Sequence, residues 1–208
     1  TPNNPTGLML SENEIKEVCD QTPENVLLFI DEAYHEFAVH AGGANALEIV
    51  KNRKGPWILT RTFSKAYALA GLRLGYAICS SEETVNALRL TTSTFNVNGI
   101  AEAAVMTALD DAEYTKFILD DNEREMNRIK AKCKKLGLHY MDSVTNFISI
   151  DVEIPNGEVV KAMRDRGIRI STPGYESNGT FIRVSTGLSD DTTAFLVALE
   201  EVLQELAS

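Results

Sequence analysis

Two stretches decide the fold: VLLFIDEAY, residues 26–34, and WILTRTFSK, residues 57–65. The first opens with five apolar residues in a row and turns polar at Asp31. An apolar run without alternation is typical of a strand covered on both faces, and such strands occur in parallel sheets flanked by helices. A further run at residues 74–79 is a third strand candidate. The sequence therefore predicts an α/β fold.

Helical patterns surround these strand candidates. Residues 11–14 read Ser-Glu-Asn-Glu, a capping box that predicts a helix ending near residues 21–23. A short helical stretch is expected around residues 47–50, and the segment before it, which carries His35 and His40, is interpreted as a loop. From residue 82 to residue 136 the pattern is helical. The predicted helices there are 82–91, 100–109 and a long amphipathic one over 111–136 that Gly137 ends.

The remainder of the chain predicts a compact α+β arrangement. Its expected elements are strand 146–151, helix 157–166, short strand 168–171, strand 180–185 and a final amphipathic helix. We therefore expect two domains, 1–110 and 111–208, the second entered through the long helix.

The composition and net charge argue against several classes of protein and of binding partner. The chain has 208 residues, of which 44% are apolar and 24% are charged, as in ordinary globular proteins. Thirty acidic against twenty basic residues give a net charge of −10, which disfavours nucleic acid and anionic membranes as partners. No apolar run approaches the roughly 18 to 20 residues that a membrane span needs. The first residue is Thr1, within a turn-forming run that lacks signal-peptide features, so we expect a piece of a longer, cytoplasmic protein.

Cysteine and histidine spacing argues against a metal site. Cys19, Cys79 and Cys133 are odd in number and far apart, without the CxxC spacing of metal or redox sites. We interpret them as reduced, buried thiols. His35 and His40 lack the i, i+4 spacing of a helical zinc pair, so no metal is expected.

Four short motifs carry the chemical signal. They are NPTG at residues 4–7, DEAY at 31–34, TFSK at 62–65 and GLRLGY at 71–76. Each alone has an ordinary structural explanation, such as a turn, a helix cap or a solvated surface lysine. In this order, the motifs resemble the fold-type I pyridoxal-phosphate-dependent aminotransferases of class I/II, most closely the histidinol-phosphate aminotransferase group. The resemblance implies that 1–110 is the C-terminal part of the cofactor-binding large domain and 111–208 the small domain.

The resemblance assigns roles around the cofactor, pyridoxal 5'-phosphate. Lys65 becomes its covalent anchor and the catalytic proton carrier, because a lysine amine condenses with an aldehyde. Asp31 becomes the partner of the ring nitrogen, because a buried carboxylate keeps that nitrogen protonated. Asn4 and Tyr34 are implied to hydrogen-bond the phenolic oxygen.

The resemblance also places two anion sites. Thr62, Ser64 and Arg73 match the family's phosphate-binding positions, where hydroxyls and a planar guanidinium suit an oxyanion. Arg183, alone in the apolar run FIRV, matches the arginine that binds the substrate carboxylate; an edge-strand arginine reaching to solvent is the structural alternative. Ser171 stands about where histidinol-phosphate enzymes tend to carry a second arginine, so a weaker preference for phosphate is expected.

The implied activity is transfer of an amino group between an amino acid or histidinol phosphate and a 2-oxo acid, by a cytoplasmic homodimer in amino-acid biosynthesis. An aromatic or other amino-acid aminotransferase and a decarboxylase of the same fold remain alternatives, because the same cofactor residues serve all of them. A different class is also open, the aminotransferase-like sensor domain of a transcriptional regulator. A third alternative is that the 208-residue piece alone is an inert structural fragment.

Overall fold

The computed structural model describes residues 1–174 and 179–206. In chain order its elements are α1 (Glu12–Gln21), β1 (Leu28–Asp31), α2 (His35–His40), α3 (Ala46–Val50), β2 (Trp57–Thr62), a 3₁₀ turn (Ala70–Leu72), β3 (Gly75–Cys79), α4 (Glu82–Thr91), α5 (Gly99–Asp110), α6 (Ala112–Leu136), β4 (Phe147–Asp151), α7 (Asn156–Asp165), β5 (Phe181–Ser185) and α8 (Ser189–Leu206). The chain divides into two compact units: residues 1–2 with 9–119, and residues 3–8 with the chain from Asp120 onward. The division falls within α6. The functional domains 1–110 and 111–208 stay a prediction.

The first unit is built on a three-stranded sheet in the order β1-β2-β3. β1 runs parallel to β2, with Asp31 opposite Thr60, and β3 is antiparallel to β2. Leu59, Trp57 and Val50 are buried beneath it with residues of α1 and α3. α1 begins at the predicted capping box, in which Ser11 and Glu14 bond each other's backbone N–H. The carboxyl ends of β1 and β2 therefore lie side by side.

Two expectations for this unit are wrong. β1 is not covered on both faces, since Phe29 is 56% exposed. Side chains alternate between its faces, and Leu28 and Ile30 on one face pack in the core of the unit whereas Phe29 lies on the other face. The segment with His35 and His40 is not a loop but contains α2, which buries Phe37. Its first turn lacks a side-chain cap, because Tyr34 stands at the cap position, and so the usual start signal was absent.

The second unit pairs β4 with β5 in an antiparallel ribbon. Ile150 and Ile182 of this ribbon are fully buried with residues of α6, α7 and α8. The predicted strand at 168–171 is reduced to one bridging pair, Ser171 with Arg183. β5 therefore has pairing partners on both of its sides at Arg183.

A buried ion cluster occupies the α6 part of this unit. Glu125 has no exposed surface, and its carboxylate accepts hydrogen bonds from Arg128 at 2.6 Å and Arg124 at 3.1 Å. The chain periodicity gave no sign of a buried carboxylate on this helix. Among the helices of the described residues, none is long and apolar enough to cross a membrane.

Candidate active site

Lys65 follows the carboxyl end of β2. Phe63 within its motif and Ala66 directly after it are buried and fix the turn, while Lys65 itself is half-buried. Its Nζ lies 5.3 Å from the centre of the Tyr34 ring. Tyr34 is buried at the start of α2, immediately after β1. The parallel pairing of β1 with β2 thus brings the motif at 31–34 against the motif at 62–65.

Two hydroxyl groups meet at the same end of β2. The Thr62 Oγ1 atom lies 2.9 Å from Ser64 Oγ and accepts the Ser64 backbone N–H at 3.1 Å. It also lies 3.3 Å from the carbonyl oxygen of Leu74, the residue after Arg73. The structure therefore places the turn that carries Arg73 against the two hydroxyls.

The Arg73 side chain itself points elsewhere. Arg73 has a left-handed backbone with φ of +56° at the end of the 3₁₀ turn, and it is exposed. One guanidinium nitrogen donates to the Ala70 carbonyl at 2.8 Å. The guanidinium is thus close in sequence to the hydroxyl pair, and its bonds in the structure are local.

Asp31 is the last residue of β1 and precedes the segment that carries Tyr34. Its Oδ1 accepts the Ala33 backbone N–H at 2.9 Å, which turns the chain from the strand toward α2. The expectation that this carboxylate is buried is wrong for the described residues, where Asp31 is exposed. Side chains alternate between the faces of a strand, so Asp31 shares its face of β1 with Phe29, which is also exposed.

Asn4 belongs to the second unit, in a turn that is bonded to β4. The Pro5 carbonyl accepts a hydrogen bond from Ser149 Oγ at 2.6 Å, and the Gly7 carbonyl accepts one from the Val144 N–H at 3.0 Å. Gly7 has a φ of +73°, and a Cβ there would lie 1.9 Å from the Ser143 hydroxyl oxygen. Both facts require glycine at this position. The turn at residues 3–8 is therefore held in this unit by hydrogen bonds and close packing.

Arg183 lies in the middle of β5, opposite Ser149 on β4. The guanidinium carbon is 4.1 Å from the centre of the Phe147 ring, a cation–π contact. Its Nε is buried and has no hydrogen-bond partner among residues 1–174 and 179–206. The backbone of β5 is paired on both sides at this residue, which argues against the alternative of an edge-strand arginine. A buried donor of this kind favours an anionic partner.

Sequence reasoning missed a buried ion cluster at the carboxyl ends of β1 and β2. Glu32 is 3% exposed and accepts a hydrogen bond from Arg61 Nε at 2.8 Å. His35 Nδ1 lies 3.5 Å from the same carboxylate oxygen, Oε2, and a terminal nitrogen of Arg61 donates to Asn45 Oδ1 at 3.3 Å. Arg61 was the available signal, since a charged residue between the threonines of an apolar strand needs a partner.

Two neighbouring carboxyl groups, Glu32 and Glu36, have their pKa values shifted in opposite directions. Burial alone would raise the pKa of Glu32, but hydrogen bonds and charge from His35 and Arg61 hold that pKa below its ordinary value. The pKa of Glu36 is raised, chiefly by burial, although a backbone hydrogen bond and the charges of His35 and Arg61 act to lower it. Glu32 is thus held as the carboxylate anion. Within the described residues, no three His, Cys, Asp or Glu side chains cluster in a way that could hold a metal ion.

Comparison with known proteins identifies the family. A model of the family "Aminotransferase class I and II" matches residues 1–198. The chain belongs to this family. The predicted α/β fold class is confirmed by class I and II aminotransferases of known structure, as the next comparisons show.

The relatives of this chain carry one recurring name. Histidinol-phosphate aminotransferase 2 of Legionella pneumophila (strain Lens) is 36% identical over 199 residues, which cover 96% of this chain and 53% of that protein. The histidinol-phosphate aminotransferase of Geobacillus thermodenitrificans is 33% identical over 204 residues, 98% of this chain and 55% of that protein. The chain spans about half the length of these curated relatives.

A solved structure of the family superimposes closely. It is the histidinol-phosphate aminotransferase of Sinorhizobium meliloti in complex with pyridoxal-5'-phosphate, with a TM-score of 0.88 and 32% identity. The superposition covers 99% of this chain and 56% of that one. The resemblance inferred from the four motifs is therefore confirmed at the level of family and fold.

Proposed function

We propose that the full-length gene product is a pyridoxal-phosphate-dependent aminotransferase that transfers an amino group between an amino acid or histidinol phosphate and a 2-oxo acid. The observation that carries the proposal is the approach of Lys65 Nζ to the Tyr34 ring at 5.3 Å. This contact brings the motif at residues 62–65 and the motif at residues 31–34 together at the carboxyl ends of β1 and β2. The histidinol-phosphate aminotransferases at 36% and 33% identity support the same activity.

The residues present fit pyridoxal phosphate by the chemistry of their donors. The hydroxyls of Thr62 and Ser64 and the guanidinium of Arg73 would hold the phosphate, for which hydroxyl donors and a planar cation are suited. Asp31 would hold the proton of the ring nitrogen, and Tyr34 would hydrogen-bond the phenolic oxygen together with Asn4. When bound, the cofactor supplies an aldehyde carbon that amines attack and a pyridinium ring that withdraws electrons.

The proton transfers fall to Lys65. Its primary amine would hold the cofactor through the aldehyde carbon. When released from that carbon, Nζ would be the base that takes the proton from the α-carbon of the amino donor and the acid that gives it back. The neighbouring Tyr34 ring covers one approach to this amine, since the ring is buried and lies over it.

Arg183 would bind the acidic group shared by both half-reactions. Its buried Nε without a partner in the described residues and its stacking on Phe147 leave a planar donor fixed for a carboxylate or phosphate. We expect Arg183→Ala to lower kcat/KM by about 10²-fold or more for amino donor and 2-oxo acid alike, because a desolvated charge pair is lost. The measurement is steady-state kinetics of both half-reactions.

Arg169→Ala is the matched control, since Arg169 is exposed in the same unit. Arg183→Lys keeps the charge and removes the planar fork, so an intermediate loss is expected. Unchanged KM and kcat in Arg183→Ala for every donor would refute this role.

Substrate choice is tested with a panel of amino donors against 2-oxoglutarate. Ser171 bonds to Arg183 through backbone atoms and offers a hydroxyl where a second cation would favour phosphate. We therefore expect aromatic or aliphatic amino acids to react with kcat/KM values comparable to that of histidinol phosphate. A preference for histidinol phosphate by orders of magnitude would contradict this view of Ser171, and no transfer from any donor would contradict the proposed function.

The proposal extends to a homodimer in the cytoplasm. Leu90, Phe95 and Ile100 on and between α4 and α5 are largely exposed, and clustered exposed apolar side chains are typical of interaction surfaces. The free thiols of Cys19, Cys79 and Cys133 agree with a reducing compartment.

A further inference from the structure

The ion pair between Glu32 and Arg61 joins the two segments that carry the proposed cofactor residues. The Glu32 N–H donates to the Thr60 carbonyl at 2.8 Å, so the β1–β2 ladder continues one residue beyond Asp31. Side chains alternate between the faces of a strand. Asp31, Thr60 and Thr62 therefore share one face, and Glu32 and Arg61 meet on the other.

The contacts on the face of Glu32 and Arg61 are shorter and more directional than the contact between Lys65 and Tyr34. Arg61 Nε bonds Glu32 Oε2 at 2.8 Å, with exposed side-chain fractions of 11% and 3%. The same guanidinium reaches Asn45 Oδ1, which also caps the start of α3, and the same carboxylate reaches His35 at the start of α2. The cluster thus ties the ends of β1 and β2 and the starts of two helices. Beyond the strand ends, the segments also approach through Lys65 Nζ and the Tyr34 ring centre at 5.3 Å, which is beyond hydrogen-bond distance.

We infer that Glu32 and Arg61 are positioning residues of the cofactor site. Their buried pair sets the spacing between the segment of Asp31 and Tyr34 and the segment of Thr62, Ser64 and Lys65. A rigid ring bound at one end by a carboxylate and at the other by phosphate donors requires that spacing to be held within a fraction of an ångström. This inference rests on the proposed function, because the spacing has meaning only if both segments contact one cofactor.

The test separates positioning from stability. The readouts are the dissociation constant of pyridoxal 5'-phosphate for the full-length apoprotein, followed by fluorescence quenching, and the Tm of the same apoprotein. The variant is Glu32→Gln, which keeps shape and removes charge. The matched control is Glu125→Gln, which breaks an equally buried carboxylate–arginine cluster in the other unit.

We expect both variants to lower Tm, and Glu32→Gln alone to raise the dissociation constant, by about tenfold or more. A dissociation constant within about twofold of wild type in Glu32→Gln, or an equal rise in both variants, would overturn the inference.

A second variant covers the case in which Glu32→Gln does not fold. Arg61→Lys keeps the charge but loses the planar Nε donor. We expect it to retain a Tm near that of wild type while the dissociation constant rises several-fold. An unchanged dissociation constant overturns the inference. If the wild-type protein itself does not bind pyridoxal 5'-phosphate, the proposed function fails first, and that outcome is distinguishable because it needs no variant.

Discussion

Replacing Lys65 with alanine is expected to lower amino-group transfer by about 10³-fold or more, because one amine serves as both covalent anchor and proton carrier. The Nζ atom stands over the buried Tyr34 ring at the end of β2, with buried Phe63 and Ala66 fixing its turn. The variant should keep its fold, since the Lys65 side chain is half-buried and forms no part of either apolar core. The measurements are kcat and the visible absorption of the cofactor-loaded protein.

Borohydride reduction followed by peptide mapping gives the complementary result. In the wild-type protein, the reduced cofactor should be found on the peptide that contains Lys65. Lys54→Ala is the control, because Lys54 is exposed in the same unit and should retain wild-type labelling and turnover. Label on any other lysine, or none at all, would remove Lys65 from its assigned role.

Asp31→Asn should lower kcat by about 10²-fold or more while leaving Tm close to that of wild type. The amide cannot hold the ring nitrogen as its protonated form, so the electron-withdrawing capacity of the ring is lost. Stability should change little, because Asp31 is exposed and the isosteric amide oxygen can still accept the Ala33 N–H. Kinetics and thermal unfolding of the full-length protein check both parts.

Asp20→Asn is the control for this substitution, since Asp20 is an exposed aspartate on α1 of the same unit. Turnover near the wild-type value in Asp31→Asn would contradict its role at the ring nitrogen. A large loss of Tm would instead mark Asp31 as a structural residue.

Local signals predicted most of the fold. The capping box at Ser11 and the apolar runs before Asp31 and at Trp57 placed α1, β1 and β2 because they depend on neighbouring residues alone. The exposure of Phe29 could not be read in this way. An apolar run shows which side chains a strand is suited to bury. Whether those side chains are buried depends on which elements pack against each face of the sheet.

The site was only partly predictable, for the same physical reason. Motif order placed Lys65 and Tyr34 in one family pattern, and the parallel register brings them together. The Glu32–Arg61 pair depends on that register and on side-chain alternation between the two strands, which a linear sequence does not display. The buried Glu125 is a comparable case on a helix, where the preceding residue, Arg124, and Arg128 on the next turn supply the two guanidinium groups.

The bond between Ser149 and the turn at residues 3–8 has a consequence for how this chain can vary. Ser149 donates to the Pro5 carbonyl beside Asn4, and it stands opposite Arg183 in the β4–β5 register. A change at this one strand position therefore reaches the neighbours of a proposed cofactor residue and of a proposed substrate residue at once. We expect the effects of mutations at these positions to be non-additive, since residues in contact commonly couple. If Arg183 binds the substrate, a substitution there that changes substrate choice is expected to depend on which residues stand at 149 and in the turn.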